Sequence, residues 1–476
     1  MSVFGTALWM AAGLVTCLCV ALGIAYGNAF LAAMAVAAVI VLLIALATPT
    51  ESLMQLYVIV LILVPNAIQV ALGGFALTAT RALAPAILGV FLIRLLNGRE
   101  SVRRSPLDLA IAFFALTLLV GFVLTTQSGD VSSKRYAISR LIAFAFEYFS
   151  VYYLVFWTVQ GEAARRRMVA VAVAALGVAA GYGVLEAFTH HNFVNDLNTG
   201  LAKEDVVRRI FVRADLTRAR SLYEHPISFG TALAMALPLA LHLTSYARSE
   251  RGRLISYAAL AVMTVGLVAS VSRGPYIAAI LALACVFLFG RTGRVRVKLV
   301  VTLTVAGIVA VTFAWPLFQR LLATFQIDAS VNSRLVDYPL VMQIFRAHPI
   351  VGQGLGTLNP LSFQYVDNYF LKTLGELGAV GVAAMLILLV SILVRLFLAG
   401  RRAPTGEERS LGVALFAAAV AFTFQTATFD SFSFSKSGGL YWALVAIGMS
   451  LAVEVGAISA RPRTPDRLSG SGSSQR

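Results

Sequence analysis

"HPIVGQGLGTLNPLSFQYVDNYFLKTLGELGAVGVAAMLILLVSILVRLF" occupies residues 348–397. From Asn368 onward it is almost unbroken apolar sequence, longer than the roughly 20 residues a helix needs to cross the hydrocarbon core of a bilayer. Its first half is of another kind: His348, glycines at 352, 354 and 356, then Asp367 and Asn368 where the apolar run opens. The stretch predicts a membrane-spanning helix with a polar entrance.

The apolar half recurs along the chain. Of 476 residues, 59% are hydrophobic and 13% charged, with a mean hydropathy of +0.84, whereas about a quarter of residues are charged in soluble domains. This predicts an all-α fold: a polytopic membrane helix bundle of about 12–14 transmembrane helices, one integral membrane domain over residues 1–460, and a disordered Gly/Ser-rich tail at 461–476. Fourteen runs qualify, near 4–25, 29–47, 53–72, 78–96, 107–125, 142–160, 167–188, 226–246, 254–271, 276–290, 297–315, 368–397, 410–428 and 438–457. The first lacks a basic flank and a small-residue cleavage pattern, so it reads as a retained helix. Cys17, Cys19 and Cys285 fall inside apolar runs and offer neither a disulfide framework nor metal-ligand spacing.

Basic residues concentrate on the cytoplasmic side of membrane proteins. "NGRESVRR", "GEAARRR", "ARSERGR", "RTGRVRVK" and "GRRAPTGEER" are all basic and fall on one face of a fourteen-span topology, with both termini cytoplasmic. The opposite face carries the long polar loops, about 189–225 and 316–367, and function is expected there. In the first of these, Lys203, Arg208, Arg209, Arg213, Arg218 and Arg220 would attract phosphate groups, anionic glycans or anionic lipid headgroups.

Four constellations stand out. "RARSLYEHPISFG" (218–230) sets Arg220, Glu224 and His225 directly before a span; an arginine fork suits a diphosphate, although snorkelling to the interface with Pro226 opening a helix accounts for the same residues. "SVSRGPY" (270–276) holds Arg273 between two apolar runs, costly unless it meets a partner or a cavity. "VNSRLVDYPLVMQIFRAHPIVGQGLG" (331–356) predicts an amphipathic helix with Arg334 and Arg346 near its ends, then a glycine turn whose amides could face an anion. Finally, Asp367 and Asn368 are good helix caps, while Asn368, Lys372, Gly375 and Glu376 share a helical face that should look at a cavity rather than at lipid.

In their order these parts resemble the family of O-antigen ligases and O-antigen or exopolysaccharide polymerases, best over about 215–390. The resemblance implies a bacterial inner-membrane glycosyltransferase with a periplasmic active face, taking glycan from undecaprenyl diphosphate without metal or nucleotide sugar, with inversion. Carried over, Arg220 and Arg273 match the diphosphate-binding arginines, and Arg334 and Arg346 the large-loop arginines. Asn368, nine residues, Gly378 and Gly381 follow the ligase pattern, but Asp367 stands where ligases have histidine. That departure points to the polymerase branch, whose acceptor is a sugar hydroxyl of another lipid-linked repeat, with the ligase reaction onto lipid A core as the alternative.

Asp367, with Asn368 beside it, is then the candidate catalytic pair, with His348 and His225 as other possible bases; His225 also belongs to the substrate-binding set. Expected partners are the undecaprenyl diphosphate-linked glycan, membrane lipids, a flippase and a chain-length regulator. A transporter or lipid flippase is the reading from another class; no internal repeat supports it, and the polar groups gather at one face. Arg81, Arg94 and Arg140 to Glu147 are further intramembrane charges, either structural pairs or a lipid access path.

Overall fold

The computed structural model describes residues 46–66, 68–72, 75–127, 130–196, 211–213, 216–290, 329–359 and 366–460. The expected spans near 4–25, 29–47 and 297–315 lie wholly or almost wholly outside the described residues, as do Cys17, Cys19, the "RTGRVRVK" connection and the tail.

Twelve helices are named here, in chain order: α1 (Thr50–Leu63), α2 (Ala79–Leu96), α3 (Asp108–Gln127), α4 (Val131–Thr158), α5 (Gly161–Thr189), α6 (Pro226–Tyr246), α7 (Glu250–Ala269), α8 (Arg273–Phe289), α9 (Ala329–Ala347), α10 (Tyr369–Arg402), α11 (Gly406–Thr428) and α12 (Ser435–Ala460). Nine helices of the described residues are long and apolar enough to cross a membrane; α1 and α8 are shorter apolar helices, and α9 occupies the place expected for an amphipathic helix. The protein is a multi-pass membrane bundle. At its centre stands α6, 94% of whose apolar window is buried. A helix so enclosed is apolar on every side, and residues 226–244 show no polar stripe.

The span expected over 53–72 is corrected. α1 stops at Leu63 because Pro65 pushes the residue before it out of the helical region. The chain then forms an antiparallel hairpin, β1 (Gln69–Leu72) with β2 (Phe75–Thr78), pairing Gln69 with Thr78. A second small hairpin joins β3 (Val212–Arg213) to β4 (Leu216–Thr217).

At one end of the bundle the basic connections meet. Arg166 pairs with Glu162 and Glu407, Arg167 with Glu51 at 2.9 Å, and Arg248 with Glu162 at 3.5 Å. Arg165, wholly buried, reaches Glu408 and Glu454 at 2.8 Å each. These pairs tie α1, α5, α11, α12 and the α6–α7 turn together, and Thr50 at the start of α1 donates to Glu100 of "NGRESVRR" at 2.7 Å, so four of the five basic connections share a face. "GEAARRR" is helical rather than a loop, forming the first turns of α5.

α10 is broken where the glycine loop docks. Gly378 adopts φ 66°, ψ −164°, interrupting the helix. A break inside a bilayer is tolerable only when the freed backbone groups find partners within the protein. Here the loop provides them: Gln353 N–H donates to the Gly375 carbonyl and Gly354 N–H to that of Glu376, both at 2.9 Å, while Ala379 N–H donates to Pro349 and Val380 N–H to Ile350. Leu355 N–H goes to Gly121 of α3. Gln353, Gly354 and Leu355 thus spend their amides on carbonyls of α10 and α3, while Gly356 and Leu358 turn theirs to the Glu376 carboxyl, the latter at 3.2 Å, so the acidic group that part of the turn faces is the protein's own.

Candidate functional site

At the end of the bundle opposite the basic connections lies a cavity of about 230 Å³. Its wall carries Arg81, Arg140 and Arg220 with Glu147 and Glu224, interleaved with Asn66, Tyr136, Ser433 and Ser435. Charges this deep in a membrane protein are expensive unless paired or serving a ligand.

α4 brings two of these residues into the wall through an irregularity. Residues Ala143–Phe149 form a π-helical turn in which Ser150 N–H reaches back to Ala145. Such turns are rare and cluster at functional sites because they re-aim the side chains around them. Here Arg140 precedes the turn and Glu147 lies within it. Glu147, 1% exposed, holds Arg81 of α2 through both oxygens, at 3.2 Å from Nε and 3.5 Å from Nη2.

Arg140 is gripped from behind. Its Nη1 donates to Ser433 Oγ at 2.5 Å and its Nη2 to the Tyr369 hydroxyl at 3.2 Å, and it stands 3.8 Å from Asp430. Asp430 also receives Lys372 Nζ at 2.7 Å, and Lys372 reaches the Tyr136 hydroxyl at 3.2 Å. Burial alone would raise the Asp430 carboxyl, but Lys372 and Arg140 more than offset it and hold the group below the ordinary aspartate range. The helical face expected from Asn368, Lys372, Gly375 and Glu376 does turn inward at Lys372, Gly375 and Glu376, each of which is buried.

Arg220 sits in a rigid turn. Glu186 of α5 accepts the backbone N–H groups of Arg220 at 3.1 Å and Ser221 at 2.6 Å, and Ser221 adopts a left-handed φ of 54°. Burial lowers the Arg220 guanidinium from its ordinary value, with Glu186 acting in the opposite direction; it remains a cation.

The other residues singled out from sequence lie elsewhere. His225 caps α6, its Nδ1 accepting from Ile227 N–H at 3.1 Å, and rests against Phe211, Phe429 and Phe434. Burial, then Arg218 and Arg220, push it down to about 3. It is neutral, with its proton on Nε2 and its acceptor nitrogen already used. Arg273 opens α8 beside Ser272, whose hydroxyl accepts from Arg218 at 2.9 Å. Asp367, half-buried, precedes Asn368, which caps α10 by accepting from Phe370 and Leu371 N–H. His348 and Arg346 are exposed at the end of α9, where His348 contributes backbone bonds to the docked loop. Arg334 lies within α9, its side chain outside the described residues.

Of the eight site residues expected from sequence, the cavity wall thus includes Arg220. The clustering of Arg140, Glu147, Asp430 and Lys372 was not foreseen; Glu147 and Lys372 are marked in the sequence as charges within apolar runs, whereas Arg140 and Asp430 lie just outside them. Among the described residues no group of three or more His, Cys, Asp or Glu side chains is arranged to hold a metal ion.

Residues 258–386 match the family described as O-antigen ligase. That segment includes α8, α9 and the broken start of α10, and so contributes Tyr369 and Lys372 to the network behind Arg140. No curated protein matches. A solved structure titled "Structural coordination of polymerization and crosslinking by a peptidoglycan synthase complex" contains a similar chain, at 17% identity and a TM-score of 0.39, over 73% of this chain and 97% of that one. The protein is thus a multi-pass membrane protein whose residues 258–386 match the O-antigen ligase family.

Proposed function

We propose that this protein polymerises surface or exopolysaccharide repeat units at the periplasmic face of the bacterial inner membrane, moving glycan from undecaprenyl diphosphate to a sugar hydroxyl of another lipid-linked repeat. The observation that supports this is the convergence of Arg81, Arg140 and Arg220 on one cavity, at the end of the bundle away from the basic connections. A departing diphosphate develops negative charge, and preorganised guanidinium groups lining the cavity stabilise it without reorganising during the reaction. Arginine also binds phosphate oxygens in pairs and keeps its charge when buried. Glu147 leaves Arg81 directed but partly neutralised, so Arg140 and Arg220 are the principal diphosphate ligands. The family resemblance adds Arg273, beside the Arg218 turn, to that set and assigns Arg334 and Arg346 to the incoming glycan.

The acceptor hydroxyl must also lose a proton. Asp367, directly before the cap of α10 and two residues from Tyr369, is the candidate read from sequence, and its presence in place of the ligase histidine favours polymerase over ligase. A deletion strain tests the assignment through a gel of its carrier-linked and lipid A-linked glycans. Single repeat units on lipid A are expected; long chains stranded on the carrier would mean a ligase, and an unchanged pattern would refute transfer.

A further inference from the structure

We propose that Glu224 is the group that takes the proton from the acceptor hydroxyl, a reading that rests on the donor site proposed above. Of the two carboxylates that line the cavity among the described residues, Glu147 and Glu224, it alone keeps an oxygen without a hydrogen bond. Glu147 is spent on Arg81 through both oxygens. Behind the wall, Glu186 holds two backbone amides, Glu376 accepts Leu358 N–H at 3.2 Å, and Asp430 receives Lys372 on Oδ2, while its Oδ1, without a hydrogen bond among the described residues, faces Arg140 at 3.8 Å. Glu224 lines the cavity with one oxygen fixed and the other unmatched. Oε1 receives Asn66 Nδ2 at 2.5 Å and Ser435 Oγ at 3.3 Å, whereas Oε2 is buried and accepts no hydrogen bond among the described residues.

Leaving a buried carboxylate oxygen unmatched costs free energy. Because Glu224 lines the cavity, a small rotation of its carboxylate turns Oε2 toward a bound sugar hydroxyl, a donor that can satisfy it. The carboxylate is held firmly enough to act as a base: Lys436 Nζ donates to the Leu222 carbonyl at 2.7 Å and to that of Ile62 at 3.2 Å, and Tyr223 N–H donates to Arg220 at 3.0 Å, fixing the segment that carries Glu224. Only three residues separate it from Arg220, so base and diphosphate ligand descend from one rigid turn.

In the step this implies, the acceptor oxygen forms a bond to the anomeric carbon while its proton passes to Glu224 Oε2. The bond from that carbon to the diphosphate breaks, its electron pair goes to the diphosphate oxygen, and the guanidinium groups balance the charge. Glu224 afterwards releases its proton to water.

The test separates binding from chemistry. Purified full-length wild type, E224Q, E224D, D367N and R220A proteins are compared for thermal stabilisation by undecaprenyl diphosphate, and for glycan transfer in membranes of the deletion strain. E224Q is expected to keep the stabilisation and to lose transfer by about 100-fold or more, the range for removal of a general base. E224D, which retains a carboxylate, is expected to fall between it and wild type. The proposal is overturned if E224Q transfers like wild type, if E224D is no better than E224Q, if E224Q loses the diphosphate stabilisation, or if D367N alone shows the binding-without-transfer pattern. Full activity of R220A would instead remove the donor site itself.

Discussion

Lys372 Nζ lies 2.7 Å from Asp430 Oδ2, and neither side chain is more than 3% exposed. Because Arg140 shares the same carboxylate, removing Asp430's charge strands two buried cations, while removing that of Lys372 leaves Asp430 with one. Breaking a buried pair by deleting one partner costs about 3–5 kcal/mol. D430N should therefore unfold at a lower temperature in detergent than K372M, with both below wild type. The reverse order would show that Asp430 does not anchor both cations.

The docked glycine loop makes a steric prediction. Gly354 has φ +122°, and a Cβ there would lie 2.5 Å from Thr125 Oγ1; a Cβ on Gly378, at φ +66°, would stand 2.5 Å from the Gly352 nitrogen. G354A and G378A should each reduce folded protein in membranes to a small fraction of wild type. Gly89 of α2 meets nothing within 4 Å, so G89A should be neutral or stabilising by up to about 1 kcal/mol, as expected for alanine in a helix interior. Normal yields of G354A would show that the loop does not enter the break in α10.

The membrane class was legible because hydropathy over 20 residues is a summed signal that no single residue can hide. Most spans follow from it, and the common face of the basic loops follows from charge. The hairpin after Leu63 was missed because "QVALGGFALT" is as apolar as a span, and Pro65 weighs little in a hydropathy window. The site was less legible, since it is built by pairings across the fold: Arg81 with Glu147, and Lys372 with Asp430, 58 residues apart. Single-residue reading marked Arg220 by its place at a span entrance, but it had no access to the π turn of α4 that brings Arg140 and Glu147 to the same wall. Part of the glycine loop misled for a related reason. An amide that can face an anion can equally face a broken helix's carbonyls, and only the fold decides between them.

His225 gives a pH dependence. Its folded value, about 3, lies below the ordinary 6.5, so the unfolded chain binds the extra proton between those limits. The stability associated with keeping it neutral is complete above pH 6.5 and is lost as pH falls toward 3. From pH 7 to pH 5 the loss is about 2 kcal/mol at 1.36 kcal/mol per pKa unit. H225N can still cap α6 but does not titrate there, so its melting temperature should fall less than that of wild type over this range. Equal slopes would mean that His225 is protonated in the folded protein.

Arg140 distinguishes fork from charge. Its two terminal nitrogens serve Ser433 and Tyr369 while the guanidinium borders the cavity, and a lysine, with one nitrogen on a flexible stem, cannot hold both partners and face a diphosphate. R140K keeps the charge beside Asp430, so the folded protein should survive with only a modest drop in melting temperature. Glycan transfer should nevertheless fall by at least about tenfold, a loss of roughly 1.4 kcal/mol in transition-state stabilisation. If R140K matched wild type in transfer, Arg140 would act through charge alone, and the positioning by Tyr369 and Ser433 would concern stability rather than the reaction.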